Sequence, residues 1–189
     1  MRKPKGQKAE TRQRIVEAAA ALFRQHGIDA VGVDAVMHAA GLTHGGFYGH
    51  FRSKEALVAA MSAASLGRAA ARWERISREA PPGEALQRIV GPYLDAAHVA
   101  APERGCVLTT LGPEMSRRPD SRAALTPSIR AMVHALARCR PAQGPDGGLA
   151  ALSTMVGAVV LARLADDPEL SHAFLRAAEQ AVGGSPPAA

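Results

Sequence analysis

The chain has 189 residues, enough to bury a substantial core as one medium domain or as a small domain joined to a larger one. Hydrophobic residues make up 47% and aromatic residues only 4% of it, which favours helices over a β-sandwich or barrel. The formal net charge is +6, and two cysteines without a secretion signal argue against disulfide stapling and for a reducing cytoplasm. We predict an all-α fold of about nine helices.

The N-terminal segment is basic. Residues 1–60 hold nine Lys or Arg against five Asp or Glu, and residues 1–14 hold six against one. Such an arm suits nucleic acid or an anionic membrane surface, and a solvated, disordered tail is the alternative. The longest apolar stretch, residues 149–164, is interrupted by polar residues and falls short of the ~20 apolar residues that a membrane span requires. We therefore expect a core or interface helix there and no membrane partner.

The first predicted helix runs from Ala9 to His26 and ends at Gly27, because its apolar residues recur at helical spacing. A second, short helix fits Val33 to Ala40, with Gly32 as its N-cap. Gly41 then ends this helix. The pattern therefore predicts two helices, with a tight glycine turn directly after the second.

A third, short helix is predicted from Thr43 to Phe51, within the stretch GLTHGGFYGHF. Thr43 can cap it through its hydroxyl group, and Phe47 and Phe51 share one face at i, i+4. Its glycines each cost roughly 1 kcal/mol relative to alanine, so packing of the two phenylalanines rather than intrinsic propensity must maintain it. The faces without side chains would let backbone and a DNA duplex approach closely.

Two short helices joined by a glycine turn and packed on a first helix form a helix-turn-helix, whose second helix enters the major groove of DNA. Reading then falls to Thr43, His44 and Tyr48, whose hydroxyl and imidazole groups can bond base edges or phosphates. Lys54, at the start of the next helix, suits a phosphate, and His50 is either a phosphate donor or a packing residue. The alternative is that Tyr48 and His50 are ordinary half-buried surface residues.

Six further helical patterns follow, and prolines or glycines mark their ends. Ser53 is predicted to be the N-cap of the first of them. The predicted spans are residues 53–79, 83–101, 106–118, 121–140, 149–165 and 168–182. The stretch RPAQGPDGG, residues 140–148, is predicted to be the loosest linker, and residues 183–189 a disordered tail.

Residues 11–58, and above all the string AAGLTHGGFYGHFRSKEAL, resemble the N-terminal DNA-binding domain of the TetR/AcrR family of bacterial transcriptional regulators. The resemblance implies a homodimer that binds a palindromic operator, usually as a repressor. It also implies a C-terminal helical domain that binds a small inducer and dimerises through its last two helices. We therefore expect a DNA-binding domain with its basic arm at residues 1–52 and a ligand-binding and dimerisation domain at residues 53–182.

The resemblance also implies which residues contact DNA, of which two glycines contribute only backbone or close approach. Asp34 stands where many members carry a basic or neutral residue, and Val31 and Gly32 stand where Thr or Ser is common. Because a carboxylate repels phosphates, we expect little help from the start of the second helix. The implied DNA-binding residues are Thr43, His44, Gly45, Gly46, Tyr48, His50 and Lys54.

In the second half, RGCVLTTLGPEMSRRP resembles a segment from a subgroup of the family, in which a Gly-Cys pair opens a helix beside the ligand pocket. Cys106 near a helix N-terminus, two residues after Arg104, favours a reactive thiolate and hence an electrophile or oxidant sensor. A buried, inert cysteine is the alternative. An apolar cavity with a few polar groups is expected, although each candidate could instead be core. The predicted ligand-binding residues are Tyr93, His98, Cys106, Leu111, Met115, Met132 and His134.

The last two helices are apolar and carry small residues, which predicts a four-helix interface across a two-fold axis. A buried helix hairpin within one chain is the alternative. The predicted interface residues are Leu152, Met155, Val156, Val159, Val160, Phe174 and Leu175.

These observations predict a ligand-responsive transcriptional repressor rather than an enzyme, with double-stranded DNA, a small-molecule or electrophilic inducer and a second copy of the chain as partners. No cofactor and no metal is expected. Two alternatives remain open. One is a thiol-dependent enzyme that uses Cys106 with His98 or His134 as its base. The other is a nonspecific nucleoid-binding protein held by the basic arm.

Overall fold

The computed structural model describes residues 5–183, and within that range it contains helices and no strands. The predicted all-α fold with nine helices is confirmed for these residues. The first four residues of the basic arm and residues 184–189 of the predicted tail lie outside the described range. The α-helices are α1 (Lys5–His26), α2 (Val33–Ala39), α3 (Lys54–Glu79), α4 (Ala85–Tyr93), α5 (Ala96–Ala100), α6 (Val107–Ser116), α7 (Pro119–Cys139), α8 (Gly144–Leu164) and α9 (Pro168–Gly183). Short 3-10 segments span His44–Gly49, Pro102–Arg104 and Pro141–Gln143.

Helices α1 and α2 and the first 3-10 segment form one packed unit. Helix α1 begins four residues before the predicted Ala9 and ends as predicted, at Gly27, which has a φ of +84°. Its apolar stripe is buried against α2 and against the loop between them. The buried residues of this unit include Ile15, Val16, Ala19, Phe23, Ile28, Val36, Met37 and Ala40.

The turn between α2 and the 3-10 segment depends on Gly41. Its φ of +67° lies in the left-handed region, where a side chain would be strained. The Arg14 guanidinium donates a hydrogen bond to the Ala40 carbonyl at 2.5 Å, and the Leu42 N–H donates to the Met37 carbonyl at 2.9 Å. These bonds satisfy the backbone groups that the end of α2 leaves open.

The third predicted helix is a 3-10 segment, His44–Gly49. Thr43 precedes it as the N-cap, but its hydroxyl makes no capping hydrogen bond, so this detail of the prediction was wrong. The tighter i→i+3 pattern uses the backbone instead, because the Gly46 N–H donates to the Thr43 carbonyl at 3.1 Å. Ser53 caps α3 as predicted, and its hydroxyl accepts from the Ala56 N–H at 3.1 Å.

Helix α3 joins this N-terminal unit to the rest of the chain. It contacts α1 on one side and α4, α6 and α7 on the other. Its buried side chains include Leu57, Met61, Leu66 and Trp73, which belong to one hydrophobic core that extends from α1 to α9. A division of the chain after residue 52 therefore remains a proposal about function.

The predicted helix over residues 83–101 is instead two helices, α4 and α5. Two polar contacts stabilise the break between them. The Asp95 carboxylate caps α5 by accepting from the Ala97 N–H at 2.7 Å, and His98 Nδ1 lies 2.6 Å from the Tyr93 carbonyl oxygen. Helical periodicity alone does not reveal such a break, because apolar residues keep the same spacing on both sides of it.

The predicted linker over residues 140–148 is mostly helical. A 3-10 segment, Pro141–Gln143, leads directly into α8, which begins five residues before the predicted start at Leu149. Gly148 lies where α8 crosses α7, and an added Cβ would meet the Val133 carbonyl oxygen at 2.3 Å. The glycine is therefore present for close helix packing and does not mark a loose linker.

Among the described residues, the segment Pro141–Leu164 is long and apolar enough to cross a membrane by length and composition, with a mean hydropathy of 1.6. It contacts α7 and α9 along its length. Packing of this kind accounts for its apolar composition, because a core helix needs the same residues as a span.

Gly148→Ala is expected to lower the free energy of unfolding by about 1–3 kcal/mol or more, because the new methyl group would overlap the backbone of α7. Urea unfolding followed by circular dichroism measures this change. Gly67→Ala in α3 is the matched control, since an added Cβ there would make only an ordinary contact of 3.7 Å with the Ser128 hydroxyl. It should leave the stability unchanged or raise it by up to about 1 kcal/mol. Equal stability of the two variants would contradict the close packing of α7 and α8.

Candidate nucleic-acid interface and ligand cavity

Two phenylalanines hold the 3-10 segment His44–Gly49 in place. Phe47 and Phe51 are only 1% and 4% exposed, and their rings stack with centroids 5.8 Å apart. Both belong to the hydrophobic core formed with α1 and α2. Because a short 3-10 segment has little stability of its own, this packing fixes its position.

The chain itself does not require the glycines of this segment. Gly45, Gly46 and Gly49 are not among the glycines with positive φ. An added Cβ would meet nothing within 4 Å at Gly45 and Gly49, and at Gly46 it would make an ordinary contact of 3.5 Å with Met37. The segment therefore presents bare backbone outward that the fold of the described residues does not require.

Three of the predicted reading residues lie together on this surface. Thr43, His44 and Tyr48 are exposed, and Tyr48 is exposed to 69%. The Tyr48 ring contacts Phe47 edge-on, with centroids 5.3 Å apart, so its position is fixed at the base while its hydroxyl faces solvent. The structure thus combines hydroxyl and imidazole groups with open backbone on one face.

The Asp34 carboxylate contacts His44 Nδ1 across the gap between α2 and the 3-10 segment. Sequence reasoning identified Asp34 as unfavourable beside phosphates but did not foresee this partner. The Asp34 carboxylate is thus held by a side chain of the 3-10 segment. The contact also orients the His44 ring and leaves its Nε2 atom for another partner.

The remaining predicted residues surround the segment. His50 is half-buried, and its N–H donates to the Phe47 carbonyl at 2.9 Å. Lys54 is half-buried in the first turn of α3, with its Nζ 5.9 Å from the centre of the Phe23 ring. Arg52 is exposed between them, and sequence reasoning did not single it out. Its signal was its place two residues before Lys54 in the run FRSK.

A cavity of about 530 Å³ lies between α1, α3, α4, α5 and the start of α6. Three of the seven predicted ligand-binding residues line it: Tyr93, His98 and Cys106. The other four lie elsewhere. Leu111, Met115 and Met132 are at most 1% exposed in the core, and His134 is exposed on the outer side of α7. Apolar helical spacing predicts burial correctly, but it does not separate a cavity wall from a filled core.

The polar groups on the cavity wall are held by backbone contacts. His98 Nε2 accepts a hydrogen bond from the Cys106 N–H at 2.9 Å, and Nδ1 donates to the Tyr93 carbonyl. Burial lowers the pKa of His98, so its ring is neutral at pH 7. Because both ring nitrogens are engaged, His98 is not placed to remove a proton from the Cys106 thiol.

Four arginines also line the cavity, and sequence reasoning did not select any of them for this site. Arg24 comes from α1, Arg68 and Arg72 from α3, and Arg104 from the 3-10 segment before α6. Arg68 and Arg72 lie one turn apart on α3, but Arg24 and Arg104 are far from them in sequence, so no motif joins the four. Arg104 was noted only for its possible effect on Cys106.

Helix α6 connects this cavity to the N-terminal unit. Its first residue, Val107, lines the cavity, and its last turns contact the loop that follows α1. The Glu114 carboxylate accepts from the Ile28 N–H at 2.8 Å. Just beyond the helix, Arg118 donates to the Glu55 carboxylate at 2.5 Å and to that of Asp29. Burial opposes the charge of Arg118, but these two hydrogen bonds outweigh it and raise its pKa.

The predicted interface residues of α8 and α9 fall into two groups. Four are at most 7% exposed and pack inside the chain: Leu152, Met155, Val159 and Leu175. The other three, Val156, Val160 and Phe174, are half-buried at the outer edge of the core. The interface prediction thus selected mainly the inner face, because apolar content is highest there.

The outer face of α8 and α9 is nevertheless apolar. Leu161 is 45% exposed, Leu164 is 76% exposed, and Leu170 at the start of α9 is 47% exposed. Gly157 lies one turn before Leu161 on α8, and an added Cβ there would meet nothing within 4 Å. Two large leucines exposed one turn apart on α8, with a third at the start of α9, are typical of an interaction face.

Comparison with known proteins agrees with this architecture. The model of the tetR family of bacterial regulatory proteins matches residues 15–61. Over 56 residues the chain is 41% identical to the HTH-type transcriptional regulator AcrR of Shigella flexneri. The aligned residues make up 30% of this chain and 26% of that relative's length. The aligned sequence thus spans about a quarter of that relative.

Similarity in fold extends over the whole described chain. The regulatory protein TetR from Rhodobacter sphaeroides superposes with a TM-score of 0.71 at 26% identity, covering 90% of this chain and 96% of that one. The TetR-family regulator from Cytophaga hutchinsonii superposes with a TM-score of 0.80 at 20% identity, covering 99% and 100%. Because the second match has only 20% sequence identity, it shows that the two proteins share a fold and no more.

Gly45→Ala is expected to leave the free energy of unfolding unchanged or to raise it by up to about 1 kcal/mol, because the methyl group meets open space and alanine favours helical backbone. Its affinity for operator DNA is expected to fall by about tenfold or more, because the methyl group would hold the backbone away from the duplex. Thermal unfolding and fluorescence anisotropy with labelled DNA measure the two effects.

Gly32→Ala is the matched control for this variant, because its Cβ also meets nothing within 4 Å and it lies in the same unit. We expect its DNA affinity to stay within about threefold of the wild type. In binding free energy, this is less than half of the change that a tenfold loss of affinity represents. If Gly45→Ala bound DNA as tightly as Gly32→Ala, the bare face would have no role in recognition.

Proposed function

We propose that this chain, which belongs to the TetR/AcrR family of bacterial transcriptional regulators, acts in the cytoplasm as a repressor that binds a palindromic operator as a homodimer and is released by a small molecule. The observation that carries the proposal is the bare 3-10 segment His44–Gly49. Two of its three glycines face open space, all three have ordinary backbone angles, and two buried phenylalanines fix the segment from behind. A surface made in this way suits close contact with a duplex.

The residues of this surface would have different roles in DNA recognition. Thr43, His44 and Tyr48 would contact base edges or phosphates in the major groove, and Gly45 and Gly46 would let the backbone approach. His50 and Lys54 would position the unit on the phosphate backbone. Arg52 is a further proposed phosphate contact, because it is exposed beside them.

We propose the outer face of α8 and α9 as the dimer interface. Val156, Val160 and Phe174 would take part at its edge, with the exposed Leu161 and Leu164 at its centre. Gly157 would allow the α8 helices of two copies to approach closely. Such pairing removes from water an apolar face that one chain leaves open.

Helix α6 offers a route from the cavity to the DNA-reading unit. A ligand that displaces its start near Cys106 and Val107 would move Glu114 and Arg118 at the other end. These residues are bonded to Ile28, and to Asp29 and Glu55. A shift there would change the spacing between the two DNA-reading units of the dimer. The affinity for the operator would then fall by a factor that the coupling free energy between the two sites sets.

An electrophilic inducer that modifies Cys106 fits the same route. Its thiol is free and half-buried on the cavity wall, directly before α6. A group added to the sulfur would occupy the cavity as a ligand does. Unchanged operator affinity after treatment with N-ethylmaleimide would exclude this second form of release.

The geometry gives little support to a thiol-dependent enzyme. Both ring nitrogens of His98 are engaged with backbone groups, and His134 lies on the outer side of α7, away from Cys106. A nucleophilic thiol needs a base within hydrogen-bond reach. Turnover of a simple thioester by the purified protein would revive the enzyme hypothesis.

Selection from a pool of random duplexes is expected to enrich one palindrome, with half-sites about 10 base pairs apart or a multiple of that distance. Leu161→Arg is expected to yield a monomer by light scattering and to lose the enrichment of paired half-sites, because the charge lies on the apolar outer face. Ala71→Arg, at an exposed position of α3, is the control and should behave like the wild type. A nonspecific nucleoid protein would enrich no sequence and would show only steep salt dependence.

The coupling through α6 can be tested without knowing the inducer, because coupling between two sites is reciprocal. Trp73, the only tryptophan, lines the cavity, so operator binding is expected to change its fluorescence emission. Arg118→Gln breaks the contacts with Asp29 and Glu55 and is expected to reduce that change to less than about half. Arg122→Gln, one turn further along α7 and exposed, is the control. The same emission change in both variants would exclude this route.

A further inference from the structure

The cavity wall carries positive charge without a matching negative charge. Arg24, Arg68, Arg72 and Arg104 line it, and no aspartate or glutamate is among the lining residues of the described chain. Elsewhere some arginines pair with carboxylates, as in Arg88 with Glu84 at 2.8 Å and Arg118 with two partners. The cavity instead gathers four guanidinium groups around one space.

Three of the four arginines at the cavity are held by neutral groups or by none. Arg24 donates to the Ala20 carbonyl at 2.9 Å, to the Glu103 carbonyl at 3.4 Å and to the Ser65 hydroxyl at 3.1 Å. Its Nε is buried and has no hydrogen-bond partner within residues 5–183. Burial lowers the pKa of Arg24, and repulsion from Arg68 lowers it further.

Two of the other arginines have no partner in the described part of the chain. Arg68 and Arg72 are exposed at the mouth and make neither an ion pair nor a hydrogen bond within it. Arg104 is exposed and pairs with the Glu103 carboxylate at 3.3 Å. Three guanidinium groups, from Arg24, Arg68 and Arg72, are thus left without a carboxylate.

The floor of the cavity is apolar and carries a buried hydroxyl group. Leu66, Trp73, Ile89 and Val107 line it and are at most 4% exposed. The Tyr93 ring meets Trp73 edge-on, with centroids 5.5 Å apart. Its buried hydroxyl makes no hydrogen bond of normal geometry among the described residues, and the side chain that comes closest to pairing with it is the Cys106 thiol.

We propose that the cavity binds an organic anion, whose carboxylate lies at the mouth between Arg24, Arg68 and Arg72 and whose apolar body rests on the floor beside Trp73. Arginine binds carboxylates in fork geometry with charge-assisted hydrogen bonds. A cation of the same shape would meet the repulsion of three guanidinium groups, and a neutral compound would leave them uncompensated. The proposal names the ligand class for the proposed regulator and rests on that function for its regulatory meaning.

Matched probes that differ only in charge test the proposal. Isothermal titration calorimetry of the full chain would compare 2-naphthoate with 2-naphthamide, 2-naphthylmethylammonium and inorganic phosphate. A naphthalene ring fits within about 530 Å³. We expect 2-naphthoate to bind about tenfold or more tightly than the amide, and the ammonium compound and phosphate to show no saturable binding.

Variants locate the anion at the mouth. Arg68→Gln and Arg72→Gln are each expected to weaken 2-naphthoate binding by about tenfold while leaving binding of the amide unchanged. Arg75→Gln is the control, since Arg75 is exposed on α3 and does not line the cavity. Because these arginines are on the surface, thermal unfolding of the variants should match the wild type.

The proposal is overturned if the amide or the ammonium compound binds as tightly as the carboxylate, if millimolar 2-naphthoate does not bind, or if both variants bind it normally. Saturable binding of phosphate at the same site would overturn the need for an apolar body. These results are independent of the operator. If 2-naphthoate bound as expected but no operator were found, the anion site would stand and the proposed repressor function would fall. If neutral compounds alone released an operator, the repressor function would stand and the anion site would fall.

Discussion

The packing of Phe47 and Phe51 beneath the 3-10 segment His44–Gly49 is the interaction on which the proposed recognition surface depends. Both rings are almost fully buried and stack on each other within the core of the N-terminal unit. Because they supply the stability, the outward positions of the segment are free to carry glycine, at a cost of roughly 1 kcal/mol each in helical preference. The same packing places Tyr48 outward, with its ring against Phe47 and its hydroxyl in solvent.

The N-terminal unit and the cavity are linked by polar contacts as well as by apolar packing. Glu114 bonds to the backbone after α1, and Arg118 connects α7 to Asp29 and Glu55. Hydrogen bonds have narrow distance and angle requirements, so they transmit a small shift of a helix more sharply than apolar contacts do. Since α6 begins at the cavity and ends at these contacts, occupancy of one site has a short physical path to the other.

The cavity combines two demands that conflict in an empty site. Its floor belongs to the apolar core, which includes Trp73 and Ile89, while its mouth holds guanidinium groups without carboxylates. Keeping like charges close together and partly out of water lowers the stability of a protein. A binding site can retain such an arrangement because its ligand relieves it, which is why unpaired charge at a cavity indicates function more strongly than apolar lining does.

Several features were predictable from the sequence because they depend on neighbours along the chain. The helical spacing of α1 and its end at Gly27, the Gly41 turn, the burial of Phe47 and Phe51, and the Ser53 cap of α3 all follow from local geometry. Exposure of Thr43, His44 and Tyr48 follows from the same spacing. The family resemblance was most specific over this segment, and that is where prediction and structure agree best.

Only the tertiary structure decided the features that join residues far apart in the chain. Gly148 was predicted to lie in a linker, but it packs against α7. Met115 and Met132 were predicted to bind a ligand, but they lie in the core. Arg24 and Arg68 were not predicted to bind a ligand, but they line the cavity. The outer face of α8, with Leu161 and Leu164, was likewise hidden by uniform apolar composition. The sequence determined which residues are apolar and where helices begin and end, because backbone hydrogen bonds and caps are local. Which face meets the core, and which side chains converge on one site, depends on contacts between helices that no short stretch of sequence contains.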